Sequence, residues 1–134
     1  MLIKWTAALA VKVPSIDEQH QKLVALINQL NEAMKQGLGK NVLGGILKEL
    51  VDYTHYHFEF EHKMMEQFGY PGMEKHLQQH DSLTRQVFEF QIKYAAGQAA
   101  LTIPTMKFLQ TWLLNHIQVT DKEVGEFLYS KGAK

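Results

Sequence analysis

The chain contains no cysteine, and this absence removes several kinds of chemistry at once. Without thiols it can form no disulfide, offer no thiolate to a metal and use no cysteine nucleophile. Disulfides belong mainly to oxidising compartments, so a cysteine-free chain is consistent with the reducing cytosol. We therefore expect a cytoplasmic protein.

An excess of charge of either sign is also missing. Fourteen Lys and Arg residues balance fourteen Asp and Glu residues, so the formal net charge at pH 7 is zero. The basic residues are scattered along the chain rather than clustered. Because nucleic acids and anionic membrane surfaces attract proteins through a positive excess, we expect neither as a partner.

Long hydrophobic runs are absent as well. No apolar stretch approaches the ~20 residues that a membrane-spanning helix needs. The nearest candidate for a targeting segment, TAALAVKV at residues 6–13, is short and interrupted by Lys12. A secretory signal would need a longer apolar core and a small-residue cleavage site, so we expect no membrane insertion.

Proline is scarce, with three residues in 134, and together with glycine it divides the chain into segments. Pro14 precedes the first helical pattern, and Pro104 suits the first turn of the last one. GLGK at 37–40, FGYPG at 68–72 and Gly97 separate the segments between them. The alternation typical of β-strands is weak throughout.

Ser15 with Glu18 has the spacing of a capping box, and Asn41 is placed to cap the second helix.

These breaks predict an all-α protein with one domain over residues 1–134. After a short N-terminal arm at 1–14, we expect helices at roughly 15–37, 41–67, 71–96 and 103–130. Four helices of similar length with short connections favour an up-down-up-down antiparallel four-helix bundle.

Each predicted helix carries an apolar stripe that also contains histidine. Residues spaced by three and four lie on one helix face, and that face should point into the core. Burying an unpaired imidazole is costly, and burying an isolated carboxylate costs much more. The polar members of the four stripes must therefore satisfy one another or something between them. They are His20, His57, Glu61, His76, His80 and His116.

The stretch HYHFEFEH at 55–62 shows how spacing selects among neighbouring histidines. His57 and Glu61 are four residues apart, so they differ by only ~40° around the helix axis and share the core stripe. His55 and His62 lie on another face. We expect both at the surface or the boundary, with a minor supporting role near the site left open.

Two further spacings point to metal. His76 and His80 can hold one ion from a single helix face, but HLQQH lacks the glutamate of a zinc-protease H-E-x-x-H motif. In the last helix, Asp121 follows His116 by five residues, and an ideal helix would place them ~140° apart. We expect a π-bulge between them that brings both side chains inward.

Five histidines and two carboxylates exceed the needs of one tetrahedral zinc, whereas two six-coordinate ions bridged by carboxylates fit them. A ferritin-like di-iron site is disfavoured, since the one E-x-x-H motif, Glu59 to His62, lies off the core stripe. The set is rich in nitrogen, which should favour ferrous iron. The predicted site is dinuclear.

The residues in this order resemble the hemerythrins, in particular the single-domain bacterial form, bacteriohemerythrin. The similarity rests on IDEQH ending at His20, HFEFE from His57, HLQQH from His76 and HIQVTD from His116. An early Trp5 and the WLLNH segment agree with it. The resemblance covers nearly the whole chain.

This resemblance implies a non-haem di-iron centre. One iron would be held by His76, His80 and His116, and the other by His20 and His57. Glu61 and Asp121 would bridge them together with an oxo or hydroxo group. Dioxygen would bind at the open position of the two-histidine iron, take one electron from each iron, and leave by the reverse steps. Leu113 matches a leucine that lines the oxygen pocket in the family, although an ordinary core leucine fits it equally.

The expected function is reversible dioxygen binding, for transport, storage or delivery, in a protein that is not an enzyme. Two alternatives stay open: an oxygen or redox sensor that acts on a separate partner, and a peroxidase-like or nitric-oxide-handling di-iron enzyme. An oxygen-using enzyme is a candidate protein partner. Because no long apolar face demands assembly, we expect a monomer.

Overall fold

The computed structural model describes residues 2–134, apart from the side chain of Thr120. Within these residues the secondary structure is helical and contains no strand. No helix among them combines the length and the apolar character needed to cross a bilayer. The elements are a 3₁₀ turn at Ala7–Leu9, α1 at Pro14–Lys35, α2 at Lys40–Phe68, α3 at Met73–Ala95, α4 at Ile103–Asn115, a π-helical segment at His116–Thr120, and α5 at Asp121–Ser130.

The elements assemble as the predicted all-α four-helix bundle, which is confirmed. The fourth helix of the bundle consists of α4, the π-helical segment and α5 in direct succession. It contacts α1 through α4, α2 through α5, and α3 through the π-helical segment, while α1 packs on α2 and α2 on α3. The fourth helix of the bundle therefore packs against each of the other three.

The helix starts differ from the expected caps. Helix α1 begins at Pro14, with Val13 as N-cap and no side-chain cap, because the locked φ of proline preorganises the first turn. Ser15 therefore lies inside the helix, and its Oγ contacts Sδ of Met64 at 3.9 Å. The N-cap of α2 is Gly39 rather than Asn41. The capping predictions for Ser15 and Asn41 are wrong.

The turn after α2 sets the antiparallel course of α3. Gly69 has the left-handed conformation, φ 71°, which glycine adopts without the steric cost that a Cβ brings. The amide of Gly69 donates to the carbonyl of Glu66 at 3.3 Å, and that of Tyr70 to Met65 at 2.9 Å, closing the helix end. Residues 71 and 72 stay in the turn, so α3 begins at Met73, two residues after the expected start.

The bundle has two hydrophobic clusters with a polar layer between them. A large cluster includes Leu23, Leu50 and Leu113, and a smaller one at the other end includes Ile16 and Met65. Along each helix the histidine-containing part of the stripe falls between the two clusters. The apolar clusters therefore hold the polar layer in place from both sides.

The N-terminal arm is fastened to the bundle by hydrogen bonds and by buried apolar side chains. Asn28 of α1 accepts from the amide of Ile3 at 2.8 Å and donates to its carbonyl at 2.7 Å. The amide of Val11 donates to Oδ1 of Asp17 at 2.7 Å. Val11 and Val13 then pack in the smaller cluster, so the arm contributes to the core near the polar layer.

The contact between the arm and α5 depends on a glycine. A Cβ at Gly125 would lie 2.5 Å from Cβ of Val11 and 2.8 Å from its carbonyl oxygen. We expect Gly125→Ala to displace the arm and to lower the free energy of unfolding by about 1–3 kcal/mol, as overpacking does. Urea unfolding at equilibrium measures the change.

A matched control is Gly45→Ala in the interior of α2, where a Cβ would meet nothing within 4 Å. That substitution should stabilise the protein by roughly 0.5–1 kcal/mol, because glycine costs more chain entropy on folding than alanine. Equal unfolding midpoints for the two variants would show that the arm does not press on Gly125.

Candidate metal centre

The structure brings all seven predicted site residues together in the polar layer. None of them is more than 3% exposed, although they come from α1, α2, α3 and the fourth helix. The set is His20, His57, Glu61, His76, His80, His116 and Asp121. A buried layer of this composition needs either mutual neutralisation or a metal.

The π-helical segment explains how His116 and Asp121 reach the same space. Its five residues, His116–Thr120, replace the regular helical spacing between the two side chains. As a result, Nε2 of His116 lies 2.8 Å from Oδ2 of Asp121. The predicted π-bulge is confirmed, and it occurs at the position where it realigns the last two residues of the set.

The two carboxylates divide the histidines into two groups. Oδ2 of Asp121 lies 2.7 Å from Nε2 of His20, whereas its Oδ1 lies 3.2 Å from Nε2 of His76. Oε1 of Glu61 contacts Nε2 of His57 directly, whereas its Oε2 lies 3.4 Å from Nε2 of His76. Each carboxylate therefore directs one oxygen at the first group of histidines and its other oxygen at the second group.

Within each group the potential ligand atoms lie within 4.8 Å of one another. One group contains His20, His57 and His116 with both carboxylates, and the other contains His76 and His80 with the same carboxylates. Two ion positions that share two carboxylates are the arrangement expected of a bridged dinuclear centre.

His116 belongs to the first group, but its ring also lies close to His80 of the second. Its ring centroid is 5.3 Å from that of His20, 5.2 Å from that of His57 and 5.1 Å from that of His80. Its Nε2, however, faces Oδ2 of Asp121, the oxygen that His20 also contacts. The family resemblance assigns His116 to the same ion as His76 and His80. In the structure, its Nε2 instead lies near the carboxylate oxygen that faces His20.

The hydrogen bonding of the layer fits a metal site. Among the described side chains, the buried N and O atoms without a hydrogen-bond partner belong to members of this set. They are Nδ1 of His20, both oxygens of Glu61, Nε2 of His76 and of His80, and Oδ1 of Asp121. Buried polar atoms are rarely left without a partner. Carboxylate oxygens and imidazole nitrogens are also common ligands of first-row transition metals, so the donor set fits two such ions.

Without metal, the same groups form a network of opposite charges. Burial opposes a charge on His20 and His76, but the close, negatively charged carboxylates of Asp121 and Glu61 outweigh it and raise the pKa of each to about 9. Burial also opposes ionisation of Glu61 and Asp121, yet the surrounding histidines hold both pKa values well below their usual range.

This network predicts how the metal-free protein responds to pH. The raised pKa values of His20 and His76 add stability that is fully present below pH 6.5 and is lost as the pH rises to about 9. His116 shifts in the same direction. We therefore expect the melting temperature of chelator-treated protein to fall between pH 6.5 and 9.

The metal-loaded protein is the control for this measurement. A bound cation replaces the protons on the histidines, and metal binding to imidazole weakens as the pH falls. Its melting temperature should not fall over the same interval. A flat curve for the metal-free protein would mean that folding does not raise the pKa values of these histidines.

Two contacts hold individual histidines in orientation. Nδ1 of His57 lies 2.7 Å from Oε1 of the buried Gln19, and the amide oxygen must accept there. The ring of Phe58 stacks on that of His80 with centroids 3.8 Å apart and planes inclined by 7°. Burial lowers the pKa of His80 to about 4, so this imidazole stays neutral.

Sequence reasoning missed Gln19 and did not place Phe58 at the site. A signal for Gln19 was present, since it lies three residues after Ile16 and four before Leu23, on the inner face of α1. No comparable signal identified Phe58, because aromatic residues at helical spacing usually belong to the core.

The two neighbouring histidines of α2 differ from each other. His55 is exposed, as expected. His62 is half-buried, and its Nε2 lies 2.9 Å from Nδ1 of His80. Burial lowers the pKa of His62, so the imidazole is neutral at pH 7. His62 therefore touches the site that His55 does not reach.

Leu113 is fully buried in the large cluster, one turn before His116. At this position Leu113 is equally compatible with lining the metal site and with a purely hydrophobic role in the core. Trp5 is partly buried and packs against the same cluster.

Comparison with known proteins adds a family to this geometry. The family model described as "Hemerythrin HHE cation binding domain" matches residues 11–128. The chain is 34% identical over 128 residues to a bacteriohemerythrin of Methylococcus capsulatus, covering 95% of this chain and 97% of that protein. It is 35% identical over 117 residues to a bacteriohemerythrin of Pseudomonas aeruginosa, covering 87% and 75%.

A solved structure agrees with the sequence comparisons. A wild-type hemerythrin crystal structure superposes with a TM-score of 0.88 at 33% identity, covering 96% of this chain and 98% of that one. The match therefore extends over both hydrophobic clusters and the polar layer between them.

Proposed function

This chain belongs to the hemerythrin family, and from that premise we propose that it binds dioxygen reversibly at a non-haem di-iron centre. One observation carries the proposal: two groups of buried histidines share the two carboxylates Glu61 and Asp121. The choice of iron as the metal is inferred from the family, and the two adjacent ion positions are inferred from the geometry of the site.

The seven buried residues would hold two iron ions, with an oxo or hydroxo group as a further bridge. His20 and His57 would serve one ion, His76 and His80 the other, and His116 would complete the set. When bound, the two irons would supply the two electrons that dioxygen accepts on binding and returns on release.

The carboxylates set the spacing of the centre. Oxygens of Glu61 and of Asp121 face both groups of histidines, so each side chain would tie the two ion positions together. Their two negative charges would also offset part of the charge of two cations in a buried layer, where an uncompensated charge is costly.

Gln19 orients one of the histidines. Because its amide oxygen accepts a hydrogen bond from Nδ1–H of His57, the Nε2 lone pair of that ring is directed toward Glu61 and the ion position. Such outer hydrogen bonds fix both the tautomer and the orientation of a ligating histidine.

The surroundings favour binding over catalysis. In the described part of the chain, the buried histidine, aspartate and glutamate side chains are the seven residues of the set. Among the described residues, no further buried histidine or carboxylate stands beside them to deliver protons to a reacting molecule, and the half-buried His62 contacts Nδ1 of His80. In this proposal Leu113 forms part of the wall that excludes water from the open position.

The proposal describes a cytoplasmic monomer that carries, stores or delivers dioxygen, with an oxygen-using enzyme as its partner. It does not assign catalysis to the centre.

The test uses reduced protein under anaerobic conditions. We expect about two irons per chain, the number that two carboxylate-bridged positions require. On admission of oxygen, a visible charge-transfer band should appear, and it should disappear when oxygen is removed. Two irons with irreversible oxidation would instead support a redox sensor or an enzyme, and a chain without iron would overturn the proposal.

A further inference from the structure

A half-buried histidine outside the seven-residue set is hydrogen-bonded to one of its members. Nε2 of His62 lies 2.9 Å from Nδ1 of His80, between α2 and α3. The two rings lie nearly parallel, with centroids 5.1 Å apart and planes inclined by 27°. His80 itself is 1% exposed, so His62 connects a buried histidine with the surface of the bundle.

Metal binding decides the direction of this hydrogen bond. Nε2 of His80 faces Oε2 of Glu61 at 3.8 Å and Oδ1 of Asp121 at 3.6 Å, and it has no hydrogen-bond partner. A neutral imidazole that ligates through Nε2 carries its proton on Nδ1. That N–H then points at Nε2 of His62, which must accept the hydrogen bond.

The ring of His80 is restrained on a second side. Phe58 stacks on its face at 3.8 Å between centroids, which resists tilting of the ring. Stacking alone leaves rotation within the ring plane open, and the hydrogen bond to His62 restricts that rotation. Together, one contact restrains the plane of the ring and the other directs Nε2 within the plane.

We propose that His62 is a positioning residue of the di-iron centre, accepting a hydrogen bond from Nδ1–H of His80 and directing Nε2 of His80 at the ion shared with His76. The inference rests on the proposed function, because it concerns the orientation of a residue that would hold iron. It adds a hydrogen-bond acceptor for the second group, as Gln19 provides one for the first.

The experiment compares substitutions that remove or keep an acceptor. His62→Phe keeps a planar ring but accepts no hydrogen bond, and His62→Ala removes the ring. His62→Gln retains an acceptor in its amide oxygen. His55→Phe is the matched control, because His55 lies on the same helix and is exposed.

Fe(II) binding to the metal-free chain and the reduction potential of the iron-loaded chain are the two readouts. Outer hydrogen bonds to a ligating histidine typically change metal affinity by about 10–100-fold. We expect His62→Phe and His62→Ala to weaken Fe(II) binding by about this factor, with both positions still filling at high Fe(II). Loss of the acceptor also makes His80 a poorer donor to ferric iron, so the potential should rise.

His62→Gln should restore both quantities to near the values of the wild-type chain, and His55→Phe should leave them unchanged. A purely structural role for His62 predicts another result, in which the melting temperature of the metal-free chain falls and glutamine acts like phenylalanine. His62→Ala keeps the test decisive if His62→Phe does not fold.

The inference is overturned if the alanine and phenylalanine variants match the wild type in affinity and potential, or if glutamine does not rescue. Failure of the proposed function is distinguishable, since the wild-type chain would then bind no iron pair at all.

Discussion

Glu61→Ala is expected to remove both irons from the chain, not only one. The side chain contacts Nε2 of His57 through Oε1 and lies 3.4 Å from Nε2 of His76 through Oε2. Its loss therefore takes an anionic ligand from both ion positions at once. The remaining carboxylate, Asp121, would have to bridge alone and offset less of the charge of the cations.

The measurement is iron per chain after anaerobic loading and removal of unbound iron. We expect a fall from about two irons to well below one, since both positions depend on the shared carboxylate. Glu59→Ala is the matched control, because Glu59 is exposed and only two residues away on α2. Glu61→Asp, which keeps the charge on a shorter side chain, should give an intermediate value.

Full retention of two irons by the alanine variant would show that Glu61 does not bridge. Loss of a single iron would show that the carboxylate serves only one of the two groups. Either result would contradict the arrangement in which one residue faces both.

His57→Ala is expected to remove or severely weaken one iron position while the other remains. His57 is fully buried, where Nδ1 contacts Gln19 and Nε2 contacts Glu61. Its removal takes one nitrogen from a single ion position. It also leaves Oε1 of Gln19 without its buried donor, which costs about 1–3 kcal/mol of stability.

His55→Ala is the matched control and His62→Ala a second comparison, because all three histidines lie within eight residues of α2. Both variants should bind two irons when iron is in excess, although His62→Ala should bind them less tightly. Iron content is measured on the three variants in parallel. If His55→Ala lost metal and His57→Ala did not, the orientation of α2 would be wrong by a large rotation about its axis.

Sequence periodicity determined which side chains share a helix face. On α2 it separated His57 and Glu61, which are buried, from His55, which is exposed. The same 3.6-residue repeat showed that His116 and Asp121 could not both point inward on a regular helix. The π-helical segment at His116–Thr120 follows from that conflict. These predictions succeeded because they depend on geometry within one helix.

Helix ends were predicted less well. The chain offered Ser15 and Asn41 as caps, but α1 and α2 begin before them, with Val13 and Gly39 as N-caps. The capping preferences of neighbouring residues differ by small free energies, so a helix end shifts easily by one or two residues. At α1 the fixed φ of Pro14 favours the earlier start. The spacing of residues in the sequence does not determine which of them becomes the N-cap.

Contacts between helices were decided by the tertiary structure alone. His20 and Asp121 are 101 residues apart and meet at 2.7 Å, and His57 meets Gln19 across 38 residues. The half-burial of His62 and its contact with His80 depend on how α2 and α3 are rotated against each other.

The sequence by itself therefore determined the helical bundle, its inward-facing residues and the need for a bulge, because helix periodicity is a local property. Only the tertiary structure decided which oxygen faces which nitrogen, to which group His116 belongs, and which side chains hold the histidines in orientation. Those features depend on distances and rotamers set by several helices packing together at once.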